Sequence, residues 1–194
     1  MCDILGGLVG LLMLAPVFLV SALAIKLSSR GPVFFLQERV GVRGRTFYMP
    51  KFRSMIVNAD ELKSALANAQ QEAMDGVRFK LKRDPRVTRV GHIMRHYSID
   101  ELPQLWSLVR GDMTIVGPRP PVWSEVDKYD ARAARRLEVT PGLTCLWQVR
   151  GRSDLSFAEQ VTLDIEYIDQ MSVLDDVRIV LATVPAVLTG KGAY

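Results

Sequence analysis

The nine residues SIDELPQLW, Ser98 to Trp106, set two carboxylates side by side, Asp100 and Glu101, with Pro103 close behind. Adjacent acids at such a place either start a helix or do chemistry. Ser98-x-x-Glu101 matches a capping box, but in that register Pro103 would be the fifth helical residue, where its missing N–H already loses a bond. With Asp100 as the cap, Pro103 falls at the third helical position, where the donor is unpaired anyway. Asp100 then sits among free N–H groups at the positive end of the helix dipole. Such a mouth also binds phosphate, so a capping Asp and a phosphate-handling Asp look alike in sequence. The neighbourhood leans towards chemistry. Arg95 lies five residues upstream, and Gly117-Pro118-Arg119-Pro120 holds an arginine between residues that fix the backbone. A carboxylate that attacks phosphorus, cations that neutralise the equatorial oxygens and a divalent metal that masks repulsion between anions are the ingredients of phosphoryl transfer.

The charge pattern agrees. The net charge is only +4, but Lys26 to Arg53 carries seven basic residues against Glu38 alone, and Arg78 to Arg95 carries seven against Asp84 alone. Two such stretches point to an anionic partner (phosphates, acidic lipid or nucleic acid) or to a solvated basic face. No recognised nucleic-acid motif accompanies them. His92 and His96 share a helix face by spacing, but Arg89 and Arg95 flank them with no acid on that face, which favours a surface or phosphate-neighbour role over metal ligation. Trp106, Trp123 and Trp147 read as core residues by default, with interfacial anchoring as the alternative. Cys2 and Cys145 are the only cysteines, too few for a disulfide framework.

The elements that must position these residues begin with Ile4 to Ile25, a run of 22 residues without a charge. As one straight helix it would be ~33 Å long, enough for a bilayer core of ~30 Å. Basic residues follow it rather than precede it, unlike a secretory signal. Pro16 breaks the run near its middle, leaving either a kinked helix that crosses or a re-entrant hairpin that returns to the same face. The segment GPVFFLQERVGVRGRTFYMPKFRSM reads as short strands and turns, and Asn58 to Asp75 as a surface helix. Glu125 to Leu137 reads as a helix, PGLTCLWQVRGR as a loop with a strand, and Phe157 to Met171 as a helix. Val173 to Leu188, interrupted by Pro185, suits a helix on a membrane surface or in a core. At 194 residues, one compact unit with a hydrophobic N-terminal anchor is expected.

These motifs together strongly resemble those of the bacterial polyprenyl-phosphate phosphoglycosyl transferases of the monotopic superfamily, the bacterial sugar transferases of exopolysaccharide, O-antigen and glycoprotein assembly. The likeness runs through DILGGLVGLLMLAPVFLVSALAIKLSSRGPVFFLQERVG, YMPKFRSM, DPRVTRVGHIMRHYSIDELPQLWSLVRGDMTIVGPRP, PGLTCLWQVRGR and GKGAY, almost the whole chain. It implies an enzyme that moves a phosphosugar from a UDP-sugar to polyprenyl (undecaprenyl) phosphate, releasing UMP through a covalent intermediate. Asp100 would be the nucleophile, and Glu101 would be associated with the required Mg2+ and the carboxylate geometry. Lys51, Arg53, Arg95, Arg119 and Arg152 match the family's basic residues, with Arg152 near the nucleotide and Gln148 close by. Asp176 matches a late family acid in a supporting role. Pro16 matches the break of a re-entrant membrane helix with both ends in the cytoplasm.

The resemblance implies an α+β, mainly helical fold: residues 1–28 as the re-entrant anchor, and residues 29–194 as a catalytic domain with interfacial amphipathic helices. That domain would lie on the cytoplasmic face of the bacterial inner membrane, in contact with membrane lipids and without nucleic acid; a homodimer stays open. Ala15 stands where relatives often carry serine, Cys145 where many carry glycine, and Met171-Ser172 where many carry Trp-Ser. The GKGAY end is like that of larger members, so a naturally short enzyme and a piece of a longer one are both open. Likeness to those larger members suggests glucose or galactose. The rival reading is a catalytically inactive membrane-associated scaffold of a polysaccharide assembly system; a membrane-tethered nucleic-acid binder ranks below both.

Overall fold

A computed structural model describes residues 2–59, 62, 84–190 and 192. The expected helix over Asn58 to Asp75 lies almost wholly outside them, as does much of the second basic stretch. The apolar run folds as α1 (Cys2–Met13) and α2 (Ala15–Ser28), bent by 61° at Leu14. Pro16 sits in the first turn of α2, where a helix leaves its donors unpaired and the ring's fixed φ suits the start. No single helix among the described residues is long and apolar enough to cross a membrane; this pair passes the test only together, by length and composition.

Next come β1 (Phe34–Val40), β2 (Thr46–Phe52), α3 (Arg89–His96), a 3-10 turn over Ile99–Gln104, and α4 (Leu105–Val109). They are followed by β3 (Thr114–Val116), α5 (Trp123–Val126), α6 (Ala131–Ala134) and β4 (Gly142–Thr144). The chain then forms α7 (Leu146–Arg150), α8 (Phe157–Gln170) and α9 (Val173–Thr189). The fold is mixed α/β and mainly helical. The expected short strands are β1 and β2, which pair as an antiparallel hairpin, and β3 pairs in parallel with β4.

Alternation along TFYMPKF turns Phe47 and Met49 inward onto Leu105, Leu108 and Met113, with Leu11 and Leu14 of the anchor packed against the cluster. Each of these side chains contributes about 2 kcal/mol by leaving water. A second cluster, Ile25, Phe52 and Met94, joins α2 to α3. The bent pair is thus built into the globular body. Gly7 shows how closely: a Cβ there would lie 2.9 Å from the Leu105 carbonyl oxygen and 3.0 Å from Val109. Both ends of the bent pair are tied to that body. Asp3 accepts hydrogen bonds from the Thr114 hydroxyl (2.8 Å) and the Ile115 amide (2.9 Å), and Arg53 donates to the Arg30 and Ser29 carbonyls (2.7 and 2.8 Å).

Several local expectations need correction. The single helix over Glu125 to Leu137 is instead α5, α6 and a 3-10 turn, because Asp130 caps a fresh start by accepting from the Ala133 amide (2.7 Å). The loop PGLTCLWQVRGR holds α7 as well as its strand. Pro185 does not interrupt α9, which runs through it. Trp147 is buried, but Trp106 and Trp123 are exposed. Helix α8 begins with a full Ser156/Glu159 capping box, as its sequence allows. Helix α9 buries Ile179 and leaves Val173, Leu174, Val177, Leu181, Val184 and Leu188 exposed, an apolar face at helical spacing.

Candidate active site

The carboxylate pair lies in the 3-10 turn, and neither capping register forms. Ser98 sits in the left-handed region (φ 54°) with no capping bond, and Pro103 is inside the turn. A non-glycine residue held there costs about 1–2 kcal/mol. Ser98 lies between the helix that ends at His96 and the turn that carries Asp100 and Glu101.

Glu101 is clamped. Its Oε1 accepts from Lys51 Nζ (2.9 Å) and from an Arg119 guanidinium nitrogen (2.8 Å). Burial opposes its charge, yet Arg119 and Lys51 hold the carboxyl well below its usual range. Lys51 reaches it from β2, where burial lowers the ammonium to about 8 against the pull of Glu101. Asp100 is the opposite case. It is buried, and among the described residues its carboxylate receives no hydrogen bond or ion pair. Burial, then the Glu101 charge, push it up to about 6 against Lys51, Arg95 and Arg119. The pair therefore splits into a neutralised, fixed carboxylate and a free, basic one, an arrangement suited to nucleophilic attack.

Arg119 is held rigidly, as its flanking prolines suggest. Gly117 and Gly142 cross so closely that a Cβ on Gly142 would meet the Gly117 nitrogen, and the Gly142 amide donates to the Pro118 carbonyl (2.9 Å). Arg39 donates to the Pro120 carbonyl (2.8 Å), and Arg136 to the carbonyl of Arg119 itself (3.3 Å). Arg95 donates through Nε to Ser54 Oγ (2.9 Å); burial lowers its guanidinium while Asp100 opposes the shift. Arg152 donates to Ser98 Oγ and to the Ala186 carbonyl (3.3 Å).

Lys51, Arg95, Asp100, Glu101, Arg119 and, at the margin, Arg152 thus gather around one turn. Three other expected residues are engaged elsewhere. Arg53 fastens the end of the anchor, Gln148 accepts from Cys145 Sγ (3.1 Å), and Asp176 accepts from the Tyr167 hydroxyl (2.7 Å), which also reaches the Val116 carbonyl. Arg39, Ser54 and Ser98 bond to the arginines of this turn or to the segment that carries them, and sequence reading missed these contacts. Arg39 showed there only as one charge in a basic stretch, and nothing local to Ser54 or Ser98 names their arginine partners.

Among the described residues no three His, Cys, Asp or Glu side chains converge on a metal position. The donor set still fits magnesium in its usual mode, one or two carboxylates completed by substrate phosphates and water. Among the described residues Asp100 receives no protein donor, and the ion pairs of Glu101 to Lys51 and Arg119 both fall on Oε1, leaving Oε2.

The family model described as "Bacterial sugar transferase" matches residues 1–190. The exopolysaccharide production protein ExoY of Rhizobium meliloti is 42% identical over 99% of this chain and 86% of its own length. The galactosyl transferase CpsE of Streptococcus agalactiae is 44% identical over 98% of this chain but only 42% of its own length. The UDP-glucose:undecaprenyl-phosphate glucose-1-phosphate transferase of Caulobacter vibrioides is 45% identical over 93% of this chain and 66% of its own. The match to the family model extends from the anchor through the carboxylate turn to the end of α9, and the chain belongs to the bacterial sugar transferase family.

Proposed function

We propose that this chain is a membrane-bound phosphoglycosyl transferase that moves a sugar 1-phosphate from a UDP-sugar to polyprenyl phosphate and releases UMP. The observation that carries the reading is the buried Asp100 carboxylate, without a hydrogen-bond or ion-pair partner among the described residues, beside a Glu101 neutralised by Lys51 and Arg119. The Caulobacter relative's name specifies a UDP-glucose donor and an undecaprenyl-phosphate acceptor, which supports the substrate classes.

In the first step an Asp100 oxygen attacks the sugar-bearing phosphorus. The bond from that phosphorus to the bridging oxygen breaks, and UMP leaves with that oxygen. In the second, an oxygen of polyprenyl phosphate attacks the same phosphorus, and the bond to Asp100 breaks to restore the carboxylate. Arg119 and Arg95 supply fixed positive charge to the phosphoryl oxygens, which in a poorly solvated site need no reorganisation. Lys51 keeps Glu101 charged and in place. Asp100 and Glu101 are the residues that would hold magnesium, whose charge would mask repulsion between the anions.

The bent α1–α2 pair would be a re-entrant anchor. What supports this is that both of its ends, through Asp3 and through Ser29 and Arg30, are bonded to the same globular body. With the apolar face of α9 on the same lipid surface, the site would meet a lipid acceptor at the cytoplasmic face of the bacterial inner membrane. The test is transfer from a panel of UDP-sugars to polyprenyl phosphate in vesicles, with UMP and lipid product followed together. Equal amounts of both are expected from one member of the panel, glucose or galactose first. UMP without lipid product, or neither with any sugar, would count against the reading.

A further inference from the structure

The described residues include three non-glycine residues with left-handed backbone, and two of them, Ser98 (φ 54°) and Arg152 (φ 54°), are bonded to each other beside the carboxylates. Serine has no preference for positive φ, so something outside the local sequence must hold it there. The Arg152 guanidinium does so from two sides, donating to Ser98 Oγ and, through its other terminal nitrogen, to the Ala186 carbonyl of α9. Arg152 is itself held: the buried Gln160 of α8 donates to its carbonyl (3.3 Å). Ser98 in turn joins the two halves of the site. Its amide donates to the Arg95 carbonyl, and its carbonyl accepts from the Glu101 amide, both at 3.1 Å.

We infer that Ser98 and Arg152 form a positioning latch, in which α9, through one guanidinium, locks the joint that sets Arg95 and Asp100 in register. The inference rests on Asp100 as the nucleophile. It gives Arg152 a different task from gripping the nucleotide: a cation that binds the donor would act on donor affinity and would be indifferent to the Ser98 hydroxyl. A latch acts on the rate of the bound complex and needs both residues.

The test uses the full chain in vesicles of phosphatidylethanolamine and phosphatidylglycerol, with two readouts. One is amide hydrogen exchange over residues 95–104, which reports the joint without any substrate. The other is the rate of covalent adduct formation with UDP-glucose and UDP-galactose in the absence of acceptor. Ser98→Ala and Arg152→Ala should each speed exchange about tenfold. Each should also slow adduct formation about 10- to 100-fold, as small misplacements do. The donor concentration at half-maximal rate should stay within about twofold, and the double variant should be no worse than either single one. Ser98→Asn, which tolerates positive φ and offers an acceptor oxygen, should recover part of the rate. Ser98→Gly, which frees the backbone but removes the acceptor, should not. Unchanged exchange in both alanine variants, a wild-type rate in Ser98→Gly, or an Arg152→Ala defect confined to half-saturation would overturn the latch. A wild-type chain that forms no adduct with either donor would instead remove Asp100 as the nucleophile for these sugars, and the exchange series alone would then decide the latch.

Discussion

At neutral pH the Asp100 carboxylate is ionised where burial and the Glu101 charge both disfavour it, which is why its carboxyl rises to about 6. Two results follow, with opposite signs. Attack needs the ionised form, so adduct formation should fall about tenfold per pH unit once the pH drops below that value, measured as a single-turnover rate. Stability runs the other way. The folded-state value lies above the ordinary ~3.9, so this group's protonation favours folding, and its contribution is lost as pH rises through about 6. Asp100→Asn, neutral at every pH, should therefore raise stability at pH 7.5 by about 2 kcal/mol while ending adduct formation, which denaturant titration and intact mass would show. Glu101→Gln should move stability in the opposite direction. It strands Lys51 and Arg119 without their shared anion and should lose about 3 kcal/mol in the same titration.

The carboxylate turn is held between elements far apart in sequence. Helix α1 packs on α4 directly behind it, and Gly7 permits the approach; Gly7→Ala would press a methyl against the Leu105 carbonyl oxygen. That variant should lose about 1–3 kcal/mol in thermal or denaturant unfolding and slow adduct formation as well, because α4 continues the turn. Unchanged stability would mean that α1 is not seated as described. How much of this could be read from sequence depends on how local each cause is. The short strands β1 and β2, the helix α8 and the break near Pro16 rest on neighbouring residues, and the sequence shows them. The restart at Asp130 was hidden because Glu125 to Leu137 looks continuously helical, and one capping carboxylate outweighs that pattern. Ser98 looked like a helix cap because its true partner, Arg152, is 54 residues away. Among the site residues, Asp100, Glu101 and Arg119 could be singled out by type and spacing. What fixes Arg119 could not, since Arg39 and Arg136 act through backbone carbonyls that no motif records.

For the molecule as a whole, the bent α1–α2 pair, the carboxylate turn and α9 are joined through one packed body. The bent pair is fastened at Asp3 and at Ser29–Arg30, α9 is seated on β3 through Val116, Tyr167 and Ile179, and its apolar outer face remains open. A re-entrant anchor places Cys2, which is exposed, on the same side of the membrane as the catalytic domain, and the buried Cys145 leaves it as the natural reporter. A membrane-impermeant maleimide should label Cys2 in inverted vesicles and not in intact spheroplasts; the converse would mean a crossing helix. One experiment meets the covalent chemistry of Asp100 directly. Purified protein with magnesium and a panel of UDP-sugars, without lipid acceptor, is followed for UMP release and intact protein mass. The account predicts, with one sugar, about one UMP per enzyme and a matching phosphosugar adduct that is absent from Asp100→Asn. UMP release at the wild-type level in Asp100→Asn, or an adduct that persists in it, would contradict the account.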